Sequence, residues 1–203
     1  MLPQLISKKF DQSFRQDVQA FTCSTAVDRP WEKYLDDWIK GPEPDEDIQK
    51  FGNEVWLYYL GEKLVGYGSI GKNSLSWPYP SGKKKEVVII PTFAVSSEFR
   101  GKPPGPDKSI RYSWQIFEDL VGKSLKYGLD DLVLYVHESN SKAIKFYVDF
   151  GFASIGKASK KNPNHNVMAL DIRNAVAMPP AVADTTEPDA TASNDSSKHG
   201  PNV

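Results

Sequence analysis

The feature that most constrains this chain is its middle. Residues 86–95 read EVVIIPTFAV, a strongly apolar run, and lead through a basic turn rich in Gly and Pro into a long stretch of helical spacing. Over residues 109–127, Ile110, Trp114, Phe117, Val121 and Leu125 line one side, and Gly128 stands where a helix C-terminus favours a left-handed residue. Residues 132–136 (LVLYV) then read as a short buried strand. Strand, helix and strand in this order imply a parallel pair joined by a right-handed crossover. A run that is apolar at consecutive positions implies burial on both faces, hence a central place in the sheet. Pro91 removes one ladder donor from that strand, which predicts a bulge or local splay there.

The flanks supply the rest of a mixed α/β (α+β) fold. Helical spacing is short near residues 14–21. It is longer after Asp28, where Pro30 precedes Trp31, Tyr34, Leu35, Trp38 and Ile39 on one face, and Gly41-Pro42 ends it. Residues 43–50 read as an acidic loop. Residues 54–60 (EVWLYYL) and 64–70 (LVGYGSI) form a hairpin turned at Gly61-Glu62-Lys63, and residues 71–85 read as a loop. Ser139 or Asn140 caps a helix over 142–149 that Gly151 ends, and 152–158 and 166–172 read as closing strands.

Composition sets the limits. Residues 175–203 hold no Phe, Trp or Tyr and no period, so the expected division is one domain over 1–173 and a disordered tail over 174–203. A formal net charge of −1 is not the footprint of a nucleic-acid binder, and a nucleic-acid partner is not expected. The one cysteine, Cys23, excludes an internal disulfide, and nothing around it has zinc spacing, so no metal is expected. There is no run of about eighteen apolar residues to span a membrane. The first residues lack a signal peptide, so a cytoplasmic place is expected. Association into a homodimer is left open.

Two stretches carry chemistry. In the first, Thr92 to Gly105 (TFAVSSEFRGKPPG), a buried strand feeds a basic turn and then a helix start, where backbone N–H groups converge and suit a phosphate. In the second, Tyr135 to Phe152, the skeleton is N-x-x-A-x-x-F-Y-x-x-x-G-F. Asn140 opens a helix there, and Tyr147 lies seven residues on along the same face.

Taken together and in this order, the two stretches resemble the GNAT acyltransferase superfamily, over about residues 54–172. The resemblance implies a mostly antiparallel sheet with a splayed central parallel strand pair, flanked by helices. It implies acetyl-CoA as co-substrate, with the pantetheine arm on Phe93, Ala94 and Val95 and the pyrophosphate on the loop of Arg100, Gly101, Lys102, Gly105 and Lys108. It also places Asn140 at the cofactor. The loop departs from the family pattern R/Q-x-x-G-x-G/A. Pro103 holds the middle glycine position, and Pro103, Pro104 and Pro106 supply no N–H, so fewer amides can cradle the phosphates, a loss that Arg100, Lys102 and Lys108 are expected to make up in part as cations. A weaker resemblance, carried by Phe21-Thr22-Cys23, WEKYLDDW (31–38) and VIIPTFAV (88–95), points to the toxin-type branch that acetylates aminoacyl-tRNA.

Acyl transfer to an amine needs a proton acceptor for the ammonium, a stabilised thioester oxygen and a proton for the leaving thiolate. The motif makes Tyr147 the acid. Glu86, at the start of the central strand, is the expected base, with Glu138 and His137 as rivals. The expected activity is transfer of acetyl from acetyl-CoA to a primary amine of a small molecule, peptide or protein. The alternatives are a non-catalytic acyl-CoA-binding or sensor module and toxin-type acetylation of aminoacyl-tRNA.

Overall fold

The computed structural model describes residues 4–25, 29–76, 84–102, 111–159 and 163–175. In chain order the elements are β1 (Ile6–Lys9), α1 (Arg15–Gln19), α2 (Pro30–Lys40), α3 (Glu43–Phe51), β2 (Glu54–Leu60), β3 (Lys63–Leu75), β4 (Lys85–Ile90) and β5 (Phe93–Val95). Then follow α4 (Tyr112–Ser124), β6 (Asp131–His137), α5 (Ser141–Asp149), β7 (Ala153–Lys157), β8 (His165–Asp171) and α6 (Ile172–Ala175). Among the described residues the strands form one mixed sheet of order β1-β2-β3-β4-β6-β8-β7, with β5 paired to β3. β4 and β6 run parallel, and the other pairings are antiparallel. The expected fold class is therefore present.

Four details differ from the sequence reading. An edge strand, β1, pairs with β2. Its residues, ISKK, carry no apolar alternation to read, and such charges are what an exposed edge tolerates. Residues 43–51 are not a loop but α3. Pro44 and three acids occupy its first turn, where they suit the helix dipole, and Gly52 ends it at φ 68°. β3 runs on to Leu75, through the first third of the expected loop. The strand read over 86–95 divides at Pro91-Thr92 into β4 and β5. The long helix starts at Tyr112, later than expected, because Arg111 before it is extended (φ −109°, ψ 153°); residues 103–110 lie outside the described residues. So do 176–203, and with them nearly all of the expected tail.

The sheet packs on both faces. One face lies under α4 and α5, where Val88, Ile90, Leu132, Leu134 and Met168 meet Ile116, Phe117 and Leu120. On the other face Tyr67, Leu57 and Ala94 meet Trp38 and Ile39 of α2. Gly66 and Gly68 let α4 approach β3 closely: a Cβ on Gly66 would lie 2.8 Å from Ile116 Cδ1, and one on Gly68 2.5 Å from Leu120 Cδ1. No helix among the described residues is long and apolar enough to cross a membrane.

Candidate functional site

The division of the central strand creates a cleft. β3 is long enough to pair with two strands in turn: its residues Gly71–Leu75 with β4 and its residues Gly66–Gly68 with β5. The far edge of β4 pairs with β6 only as far as Ile90 opposite Leu134. Beyond that point β5 stays with β3, while Tyr135, Val136 and His137 stay with β8. The facing edges of β5 and β6 are left unpaired with each other.

The backbone register says which groups face the gap. Ser69 N–H donates to Thr92 O at 2.9 Å and Ser96 N–H donates to Val65 O at 2.8 Å. Thr92, Ala94 and Ser96 therefore spend their backbone groups on β3, and Phe93 and Val95, between them, turn theirs towards β6. An extended chain with amides of its own could pair there as an added strand. Thr92 is itself buried, and its hydroxyl has no hydrogen-bond partner among the described residues.

Beyond β5 the chain turns over residues 96–102. Arg100 N–H donates to Ser96 O, and Gly101 takes φ 72°, a conformation that a side chain would strain. Phe99 meets Tyr112, the first residue of α4, edge to face at 5.5 Å. The N-cap of α4, Arg111, makes no side-chain cap bond. The turn and the uncapped helix start thus lie side by side at one end of the cleft, a setting that suits an anion.

One wall of the cleft is aromatic. Phe93 of β5 packs on Phe117 of α4 (5.2 Å) and Phe146 of α5 (6.0 Å). Tyr147 packs on Phe117 at 5.3 Å and on Phe152 at 5.9 Å, one ring removed from Phe93. Burial pushes its hydroxyl pKa up, so the proton stays on at neutral pH. The hydroxyl has no hydrogen-bond partner among the described residues.

The other wall is polar and centres on α2. Trp38 stacks on Tyr67 of β3 (5.6 Å), and Trp31 stacks on His137, the last residue of β6 (5.4 Å). α2 therefore lies across the gap on the face away from α4 and α5. His137 meets His165 edge on at 5.1 Å, and its Nδ1 lies 2.8 Å from Ser139 Oγ. Burial, then the neighbouring His137, lowers the pKa of His165.

Between its two tryptophans α2 buries two carboxylates, Glu32 and Asp36, one turn apart. The segment before the helix wraps them. Asp36 accepts from Cys23 N–H at 2.6 Å, from Thr22 Oγ1 at 3.0 Å and from Ser24. Glu32 accepts from Thr25 N–H at 3.1 Å, from Arg29 at 3.2 Å and from Arg100 at 2.5 Å. Arg100 also donates to the Cys23 carbonyl. Burial works against both charges. For Glu32 the Thr25 amide and Arg100 outweigh it, and for Asp36 Ser24 and Cys23 do, so both pKa values lie below the ordinary ones. Burial first and then Asp36 push the Cys23 thiol up to about 12, which makes it inert packing at neutral pH.

No family model matches the sequence, and no curated protein matches it. Solved structures do match its shape. A bacterial toxin superposes with TM-score 0.65 at 15% identity, covering 87% of this chain and 95% of its own. The toxin AtaT is similar at TM-score 0.58 and 14% identity, over 85% of this chain and 96% of its own, in a mutant form bound to acetyl-CoA and the C-terminus of the antitoxin AtaR. AtaT complexed with acetyl-methionyl-tRNA gives 0.57 at 15% identity, over 86% and 98%. A putative acetyltransferase of the GNAT family from Desulfovibrio desulfuricans gives 0.58 at 13% identity, over 83% and 99%. The fold is that of the GNAT acetyltransferases.

The residues expected to work in a GNAT cleft are not all brought to it. Phe93, Ala94 and Val95 form its β5 edge, and Gly101 and Lys102 lie in the turn beside α4. Gly105 and Lys108 lie outside the described residues. Asn140 caps α5, with Oδ1 accepting from Ala143 N–H at 3.2 Å. Glu86 does not reach the cleft. It is exposed, paired with Ser74, and precedes Ile90 by four residues, roughly 13 Å of extended strand. Glu138 pairs with Lys157. Among the described residues no three His, Cys, Asp or Glu side chains gather as a metal would need. Sequence reasoning missed Glu32 and Asp36. Their signal was two acids four residues apart inside an aromatic helix face, preceded by the donor-rich run TCST (22–25).

Proposed function

We propose that the chain is an N-acyltransferase that moves an acetyl group from acetyl-CoA to a primary amine. The observation that carries this reading is the unpaired β5 edge, which offers the backbone groups of Phe93 and Val95 to an extended amide-bearing arm. At its end, the turn around Gly101 and Lys102 and the uncapped start of α4 suit a diphosphate.

When bound, acetyl-CoA supplies an activated thioester; the chain supplies position and protons. Tyr147 holds its proton over the aromatic wall and gives it to the departing sulfur. Burial raises the pKa of the phenol, but it also raises that of a thiolate formed in the same place, so the two stay close enough for transfer. His137 stands at the cleft where Glu86 does not. Ser139 N–H donates to its Nδ1 at 3.3 Å, and Ser139 Oγ lies 2.8 Å from the same atom; the ring takes the proton of the attacking amine on Nε2 in the tautomer that instead carries its hydrogen on Nδ1, towards Ser139 Oγ.

Calorimetry with acetyl-CoA, followed by mass spectrometry of an amine panel, tests this. Binding and an acetylated product are expected. No binding at millimolar concentration would overturn the reading. Binding without turnover across the panel would leave the chain a sensor module. Because AtaT is known with acetyl-methionyl-tRNA, an aminoacyl-tRNA belongs in the panel beside small amines and lysine peptides.

A further inference from the structure

We propose that Arg100 and Glu32 are positioning residues that tie the start of the phosphate loop to α2, so that filling the cofactor end of the cleft sets the helix across its other face. This rests on the acyl-CoA reading above.

The backbone of Arg100 belongs to the loop side. Its N–H closes the 96–102 turn on Ser96 O at 2.9 Å, and its neighbour Phe99 packs on the first residue of α4. Its side chain leaves that side. Nη1 donates to Glu32 Oε1 at 2.5 Å, and Nη2 donates to the Cys23 carbonyl. Ser97 N–H donates to Thr22 O at 2.9 Å, a second link between the same two segments. A guanidinium that swung out to a phosphate would leave the Glu32 carboxylate, only 5% exposed, with Arg29 as its remaining cation, and would strip the Cys23 carbonyl of its donor. Breaking a buried pair on one side is costly because the other charge stays behind. Glu32 follows Trp31 directly, and Trp31 is the residue that rests on His137. A shift of Arg100 therefore reaches the opposite wall through two contacts. Such coupling is reciprocal: what cofactor does to α2, an acceptor seated against α2 does to cofactor affinity.

The test uses the full chain, CoA as the probe, and the variants Glu32→Gln, Arg100→Gln, Arg100→Lys and the Glu32→Gln/Arg100→Gln double. Calorimetry reads CoA affinity, and hydrogen exchange reads residues 30–40 with and without CoA. In the wild type, CoA should slow exchange in α2 by about fivefold or more. In Glu32→Gln, CoA should bind within about threefold of wild type while that protection disappears, and in Arg100→Gln the protection should disappear as well. The double variant should be no worse than either single one. Arg100→Lys, which keeps the charge and one bond, should retain part of the protection. Should Arg100→Gln fail to fold, Glu32→Gln and Arg100→Lys decide the matter. If Glu32→Gln tightens CoA binding while Arg100→Gln weakens it about tenfold, Arg100 is a phosphate ligand that Glu32 holds back, and the proposal is wrong. Protection of α2 that survives in both Gln variants also overturns it. A wild type that binds no CoA instead brings down the acyl-CoA reading, a result that calorimetry separates from loss of coupling.

Discussion

The two walls of the cleft are held by opposite means. The α4–α5 wall is a set of rings: Phe93, Phe146, Tyr147, Phe150 and Phe152 gather around Phe117, with centroids 4.9–5.7 Å from its own. The α2 wall is two buried carboxylates with their donors, flanked by two stacked tryptophans. Dispersion is non-directional, so the first wall depends on volume. Charged hydrogen bonds are directional and costly to leave half made, so the second depends on each partner being present. One wall should fail by degrees and the other by single groups.

The largest effect should come from removing the ring at the centre of the aromatic wall. Phe117 is fully buried and touches five other rings. Phe117→Ala should cost about 3–5 kcal/mol of stability in urea denaturation, and Phe117→Leu well under half of that. Equal losses for both would break the volume argument.

Tyr147→Phe comes next. It keeps the ring and all of the packing, so melting temperature and the Michaelis constant for acetyl-CoA should change little. The rate constant should fall about 10²-fold, the usual scale for a lost proton donor. Full activity in this variant would make Tyr147 a packing residue like its neighbours.

The smallest effect separates the walls by pH. The pKa values of Glu32 and Asp36 are lowered in the folded chain. Their contribution is therefore complete above the ordinary carboxylate range and is lost as pH falls through the folded values. The rings have no group that titrates below neutrality. Between about pH 5 and 3, hydrogen-exchange protection corrected for intrinsic rates should decline in α2 before it declines in α5. Simultaneous loss would mean that the walls do not differ in this way.

How much of this was legible beforehand follows the same division. The parallel pair, its crossover helix and the disturbance at Pro91 could be read because apolar periodicity and proline chemistry are local. The helix that carries Tyr147 could be read because its cap and period are local too. The place of Glu86 was not legible because a strand start says nothing about which end of the strand meets the cleft, and here β4 and β6 part beyond Ile90, at the other end. The bond from Arg100 to Glu32 was not legible because the two are sixty-eight residues apart. α3 was hidden because acids that stabilise a helix start also look like loop residues. Contacts made across the sheet leave no period in the chain.

The length of β3 has a mechanical consequence. One leaf of the sheet is β1, β2, the first part of β3 and β5; the other is the last part of β3 with β4, β6, β8 and β7. The leaves share a single continuous strand, and they part on either side of Ser69 and Ile70. The mouth between Val95 and Val136 is thus the open end of a pair of tongs whose pivot is a stretch of backbone. A twist of a few degrees at the pivot becomes an ångström-scale change where an acyl group would sit.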